Sequence, residues 1–419
     1  EEVEVANRKE LKPGWSCNGS FTLEIINSKD PDETFHHQSD HLLHDLEPVG
    51  GFTQFGNLPA ITDMYRGYIH DDSITIVATF ERLPDVIPWG VLGGYDSRKE
   101  TGYVGLRNQG CTCYMNSLLQ TLYHISAFTQ AVFQLPTEND EPTKSIPLAL
   151  QRVFFGLRYS QAPVGTKELT KSFGWDSYDS FTQHDVQELN RVLVDKMEEK
   201  MKGTPAEGTI AKLLSGKLKH AIRCTDVKFE SLRDEIFYDL SMNVKGCKDL
   251  IESFIKYTEP EMLEGDNKYF AEGHGLQKAK KTCGFGVFPP VLHIQLKRWE
   301  YDPMKDCMAK VNDRFEFPLT LELDQFLDDS VKAQGGPPNT YQLHAVLIHS
   351  GDVNGGHYYA YIRPKTGNKW FRMDDERVSR ATLREVLEDS YGGDKGLFLS
   401  FLSFFFFKII SFIFSLSHS

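Results

Sequence analysis

Cys113 stands just ahead of an apolar stretch with helical spacing, His357 opens a strand pattern far downstream, and Asp374 and Asp375 follow the next turn. A thiol, an imidazole and a carboxylate in this order are the parts of a thiol hydrolase. A thiol is a weak nucleophile near neutral pH until its surroundings favour the thiolate. A helix amino terminus does part of this through its free amides and dipole, and Cys113 falls at such an end. His357 can supply the rest, pairing with the thiolate and later protonating a leaving amine.

The third member follows from strand geometry. Residues 357–363 and 370–376 flank Pro364-Lys365-Thr366-Gly367-Asn368-Lys369, a hairpin turn signal. That turn lies midway between His357 and Asp374, which predicts that the two are cross-strand neighbours within hydrogen-bond reach. Asp375 is the alternative, because a one-residue change of register swaps the two faces. Asn108, in the glycine-containing loop before Cys113, could donate its side-chain amide to an oxyanion together with the Cys113 N–H; an ordinary turn residue is the other reading. No helix begins directly at Cys111, which reads as a structural or incidental thiol, and the Cys111/Cys113 pair has no matching Cys or His pair nearby to complete a metal site.

The elements that position these residues are legible in outline. From Tyr114 to Tyr123 the apolar residues Met115, Leu118, Leu119 and Leu122 follow helical spacing, and further helices are expected around Ala149–Leu157 and Val186–Met201. Beyond about residue 220 the pattern turns to strands, among them Val291–Leu296 and Leu343–Ile348. Helices first and strands second predict an α+β unit over 103–396. Before it, residues 15–81 read as short β segments. Phe21, Leu23 and Ile25 alternate with Thr22 and Glu24, and Ile74, Ile76 and Ala78 alternate with Thr75, Val77 and Thr79, which suggests a small sandwich over 1–85. The polar, glycine-bearing stretch within 86–102 marks a linker. Residues 1–12 are charged and read as frayed, and Glu1 in place of Met suggests an incomplete amino terminus.

The chain has 419 residues, enough for two or three domains, and a net charge of −13, which argues against nucleic acid as the main ligand. Its seven cysteines form an odd, scattered set with no secretory signal before them, as expected of free thiols in a reducing compartment. The end differs in kind. Leu397 to Leu416 carries eight phenylalanines and one charge, Lys408. As a helix, twenty apolar residues span roughly 30 Å, enough for a bilayer, although Lys408 near the middle would cost about 2.5–3.5 kcal/mol. The 397–419 segment therefore reads either as a tail anchor or as sequence foreign to the domain, translated non-coding sequence or a mis-spliced exon.

Four segments resemble the signatures of the ubiquitin-specific protease family of deubiquitinases. They are Gly105 to Ser117, Gln183 to Leu189, Pro289 to Arg298, and Tyr341–His344 with Gly355–Tyr361 and Trp370–Asp375. The resemblance implies a papain-like fold of thumb, palm and β-fingers that removes ubiquitin from proteins by thiol-dependent hydrolysis after its terminal Gly-Gly. Carried over, Cys113 is the nucleophile, His357 the base, Asp374 its orienter and Asn108 an oxyanion donor. Asp185 and Gln187 match residues that bind the extended ubiquitin tail, and His349 and Tyr358 border its channel. Ubiquitin and ubiquitinated proteins are the implied partners, in nucleus and cytoplasm, with no cofactor. The amino-terminal region is similar to the rear part of a MATH (TRAF-like) sandwich, a peptide-docking domain.

Three departures accompany the resemblance. Cys224 and Cys283 lack the CxxC partners that hold a structural zinc in many family members, so no metal is expected. Val49-Gly50 replaces the acidic-aromatic pair that docks peptides on the MATH domain. The Phe-rich end replaces a final core strand of the palm, which predicts a lost strand pairing and an exposed apolar tail. A catalytically impaired MATH and ubiquitin-binding scaffold is then the alternative to an enzyme.

Overall fold

The computed structural model describes residues 2–4, 16–30, 33–44, 49–51, 61–63, 66–70, 72–82, 95–109, 112–141, 143–174, 186–302, 307–352, 355–364, 369–393 and 397–406. The chain divides into two compact units, Glu1–Asp96 and Ser97–Ser419. In the first, β1 (Ser16–Ile25) lies between β2 (Phe35–His44) and β3 (Ile76–Arg82) in an antiparallel sheet. Leu23 and Ile25 are buried with Ile61 and Tyr68, as the alternation in β1 requires. The expected alternation in β3 is not expressed in burial: Ile74, Ile76, Val77 and Phe80 are all exposed. Val49-Gly50 lies on a short strand paired with Glu2–Glu4.

The second unit starts earlier than the expected boundary at 103. Helix α1 (Ser97–Thr101) occupies the end of the predicted linker, and the Ser97 hydroxyl accepts a hydrogen bond from the Val378 N–H at 2.9 Å. Helix α2 (Cys113–Tyr123) follows Thr112 and buries Met115, Leu118, Leu119 and Leu122 as the spacing demands. Helix α3 (Ser126–Phe133) packs beside it, a short element that the sequence reading left out. Helix α4 (Ile146–Tyr159) begins where Ser145 accepts from the Leu148 N–H and Pro147 sits in the first turn. Helix α5 (Val186–Met201) buries Val186, Leu189, Leu193, Val194, Met197 and Met201, a stripe at three- and four-residue spacing. All four of these helices contribute to one core.

Strands dominate from Gly216 onward. β4 (Gly216–Cys224) pairs with β5 (Glu230–Phe237) on one side and β7 (Ala279–Val287) on the other, within a four-stranded antiparallel sheet. An unforeseen helix, Leu250–Thr258, is capped by Asp249 and packs Leu250 and Phe254 into the second core. The larger sheet runs β6 (Leu240–Asn243), β8 (Val291–Lys297), then the carboxy-terminal strand, then β9 (Thr340–Asp352), β10 (Gly355–Ile362), β11 (Trp370–Asp374) and β12 (Arg377–Ala381).

That carboxy-terminal strand, β13 (Leu397–Phe406), corrects the expectation of a lost pairing. It lies between β8 and β9, antiparallel to both, so the larger sheet keeps its strand and the segment through Phe406 is paired on both edges. The physical reason is local. A strand covered on both faces tolerates a near-continuous apolar run, and phenylalanine favours strands over helices. Leu402, Ser403 and Phe404 are fully buried, and Phe405 stacks on His344 at 4.0 Å. Among the described residues no helix is long and apolar enough to cross a membrane; residues 407–419, including Lys408, lie outside them. Phe404→Ala should lower stability by about 3–5 kcal/mol, the usual cost of emptying a buried aromatic site. Denaturant unfolding checks this, and a change below 1 kcal/mol would remove the strand from the core.

Candidate active site

Cys113 is the first residue of α2, buried at that helix's amino terminus. Its Sγ accepts a hydrogen bond from the Tyr358 N–H at 3.3 Å, which ties the helix start to β10. The amino terminus of α2 and this backbone donor both meet the sulfur.

His357 and Asp374 meet, but not in the predicted register. The ladder pairs Ala360 with Met373 and Tyr361 with Arg372; continued, it sets Asp374 opposite Tyr359 and His357 two positions further on. An offset of two keeps both side chains on one face and makes them diagonal neighbours. The His357 Nε2 N–H donates to Asp374 Oδ1 at 2.6 Å. Asp374 Oδ2 accepts from Arg372 at 2.5 Å, and the Arg372 guanidinium lies over the Tyr359 ring. Burial pushes the Asp374 carboxyl up, yet the His357 hydrogen bond and the Arg372 charge outweigh it and hold the group below the usual carboxylate range.

The Asp374 hydrogen bond, then the Cys113 thiol, push His357 up to about 10 against the opposing effect of burial. His357 is thus an imidazolium over the physiological range. Its folded value exceeds the unfolded one near 6.5, so it stabilises the fold fully below about pH 6.5 and loses that contribution as pH climbs through about 10. The rate profile should have its alkaline limb near pH 10, where the imidazolium is lost. A pH series of kcat/KM measures this, and an alkaline limb near 7 would contradict it.

Asp375 follows a different route. β11 and β12 join through a two-residue turn, Asp374 pairing with Arg377, and Asp375 there takes a left-handed φ of 45°. Aspartate is among the few non-glycine residues that adopt this conformation readily. Its carbonyl accepts from the Leu106 N–H at 2.9 Å, while its carboxylate accepts from Asn108 Nδ2 at 2.9 Å and Asn116 Nδ2 at 2.8 Å. Burial raises the Asp375 carboxyl, opposed by these amides and by His357, whose Nδ1 lies 3.9 Å away. Gly105 lets the turn seat here: a Cβ on it would lie 2.3 Å from the carbonyl oxygens of Asp375 and Glu376.

Asn108 is fixed from both ends. Its Nδ2 donates to Asp375 and its Oδ1 accepts from the Thr112 N–H and hydroxyl, each at 3.2 Å. Asn116, which the sequence reading did not single out, completes this cluster. It lies three residues along the helix from Cys113 and so shares its face, a signal that was available from spacing alone.

The remaining expected residues separate. His349 is buried beside Tyr358, ring to ring at 4.6 Å, and its Nδ1 is 2.8 Å from Lys310 Nζ. Tyr358 faces Tyr114 on the other side. Gln187, in the first turn of α5, donates its amide to Asp239 and Ser241. Asp185 and Cys111 lie outside the described residues. Cys224 stands opposite Ala279 and Cys283 opposite His220, four residues or about 13 Å of strand apart. His357, Asp374 and Asp375 bring ligand atoms within 4.8 Å of one another, but these atoms already serve each other, Arg372 and the two asparagines.

A thiol at a helix start and an imidazolium held by a carboxylate, with amides converging beside them, have the composition and geometry of a cysteine hydrolase. The sequence profile described as ubiquitin carboxyl-terminal hydrolase matches residues 104–399. The chain is 53% identical over 400 residues to Ubiquitin C-terminal hydrolase 12 of Arabidopsis thaliana, covering 94% of this chain and 35% of that protein. It is 48% identical over 388 residues to Ubiquitin carboxyl-terminal hydrolase 7 of Drosophila melanogaster, covering 92% and 34%. Ubiquitin carboxyl-terminal hydrolase 15 of Schizosaccharomyces pombe is 47% identical over 388 residues, covering 91% and 34%. The chain belongs to the ubiquitin carboxyl-terminal hydrolase family. It spans about a third of the length of these curated relatives.

Proposed function

We propose that the chain is a deubiquitinase, a cysteine hydrolase that cleaves the isopeptide bond after the ubiquitin terminal Gly-Gly. The observation that carries the reading is the His357–Asp374 pair beside Cys113 within a chain of this family. The Cys113 thiolate attacks the glycine carbonyl carbon, and the oxyanion is met by the Cys113 N–H and the Asn108 amide. His357 gives its proton to the departing lysine amine, leaving a thioester. It then takes a proton from water, whose oxygen displaces Cys113 and frees the ubiquitin carboxylate. Asp374 orients the imidazole throughout.

The helical core and β10–β12 hairpins are read as the thumb and palm of a papain-like fold, and the β4–β5–β7 sheet as fingers that carry ubiquitin. Asp185 and Gln187 bind its extended tail, with His349 and Tyr358 along the channel. Residues 1–85 are read as a partial MATH domain, and the chain is read as similar to the herpesvirus-associated ubiquitin-specific protease, with action in nucleus and cytoplasm. The scaffold alternative rested on a missing strand, and β13 removes that ground. Incubation with ubiquitin-propargylamide tests the reading: a covalent adduct at Cys113 is expected, and an unmodified Cys113 overturns it.

A further inference from the structure

The far end of the catalytic helix borders a second cleft, of about 760 Å³, that the hydrolytic reading does not use. Its walls are aromatic: Tyr103 and Tyr123 inside, and Phe133 exposed at the rim. His124, the residue that ends α2, lines it between them, with Tyr103 edge-on at 5.1 Å and Tyr123 at 5.0 Å.

Two features mark this cleft as a binding surface rather than a packing gap. The first is an unmet polar group. His124 is nine-tenths buried and its Nε2 makes no hydrogen bond among the described residues. Burial pushes its pKa down to about 3, so the ring is neutral and can take a donor or offer one. The phenols of Tyr103 and Tyr123 likewise make no hydrogen bond among the described residues.

The second feature is charge. The chain carries 59 acidic against 46 basic side chains, yet no Asp or Glu lines this cleft, and Arg158 does. Among the described residues the Arg158 guanidinium makes no ion pair; it rests over the Tyr159 ring at 5.6 Å. Arg98 stands behind it, donating to the Leu157 and Arg158 carbonyls rather than to any carboxylate. A local positive rim on an acidic molecule selects for anions by exclusion everywhere else.

We propose that this cleft docks an acidic peptide segment of a partner protein, with a carboxylate against Arg158 and an aromatic side chain between Tyr103, Tyr123 and Phe133. Aromatic walls give sequence-tolerant contact area, and the rim guanidinium gives the sign of charge. The position matters because the cleft floor is continuous with the catalytic elements. Tyr103 packs edge-on against Phe371 at 4.9 Å, and Phe371 lies on β11, the strand that ends at Asp374.

The test uses the full chain and the fluorescein-labelled peptide Gly-Glu-Glu-Phe-Asp-Glu-Phe-Glu-Gly, read by anisotropy. Versions with lysine for every acidic residue, or serine for each phenylalanine, should bind at least tenfold more weakly. Arg158→Glu should weaken the parent peptide at least tenfold, as should Gln130→Trp, which fills the cleft from an exposed position. Both variants should still form the ubiquitin-propargylamide adduct at the wild-type rate, which separates a lost docking site from a damaged fold. No binding of the acidic peptide, equal binding of the three peptides, or binding unmoved by both variants overturns the proposal. So does capture of a deoxythymidine decamer, sensitive to Arg158→Glu, in place of the peptides.

Discussion

Cys113→Ala should reduce turnover of a fluorogenic ubiquitin amide by on the order of 10⁴–10⁶-fold, the scale on which loss of a nucleophile is felt in hydrolases of this logic. Ubiquitin binding should survive, because the side chain is small and buried and the tail would contact backbone and polar groups around it rather than the sulfur. One complication is structural. Sγ is the acceptor for the Tyr358 N–H, and alanine leaves that donor unmet, at about 1–3 kcal/mol locally. Cys113→Ser keeps an oxygen acceptor there while providing a hydroxyl that His357 does not ionise. The serine variant should therefore bind ubiquitin like wild type and turn over as poorly as the alanine variant. Titration calorimetry with ubiquitin, beside the rate assay, decides the matter. Binding lost together with turnover in both variants would mean that the helix start, not the nucleophile, had been damaged.

How far the site was legible depends on which physical rule each residue obeys. Cys113 at a helix start follows from apolar periodicity alone, and the helix begins at that residue. The meeting of His357 and Asp374 follows from a hairpin, and it survived an error of two in register because strand side chains repeat with period two. An error of one would have exchanged Asp374 for Asp375. The role of Asp375 could not be read this way, since it sits in a left-handed turn outside the ladder and meets Asn108 and Asn116 through tertiary packing on Gly105. The carboxy-terminal strand was misread for a related reason. Counting apolar residues finds a membrane-length run, but a central strand needs the same composition, and only its partners β8 and β9 tell the two apart. Helix Leu250–Thr258 and the short α3 fell between the long periodic stretches that carry the strongest signal.

Asp374→Asn should lower kcat by roughly 10²–10⁴-fold, the range seen when the orienting carboxylate of a catalytic histidine becomes an amide. The amide oxygen can still accept from His357 Nε2, but it brings no charge, and Arg372 loses its ion-pair partner. The His357 proton would then be held less tightly, because the Asp374 hydrogen bond is the largest cause that lifts its pKa to about 10. The alkaline limb of the rate profile should accordingly move to lower pH. Asp375→Asn acts elsewhere. Asp375 accepts from two amide donors, one on each oxygen, and an asparagine has only one acceptor to offer, so either orientation sets one N–H against another. At about 1–3 kcal/mol for an unmet buried donor, this amounts to roughly a five- to 150-fold loss, felt through the position of Asn108. The limb should also move to lower pH but by less than for Asp374→Asn, since Asp375 acts on His357 only through charge at 3.9 Å and not through the hydrogen bond that is the largest cause of the raised value. The two variants are thus separated twice, by size of the rate loss and by how far each moves the pH profile. If Asp375→Asn gave the larger loss and the larger shift of the limb, Asp375 would be the residue that orients His357, and the hydrogen bond to Asp374 would be a feature of the unliganded protein alone.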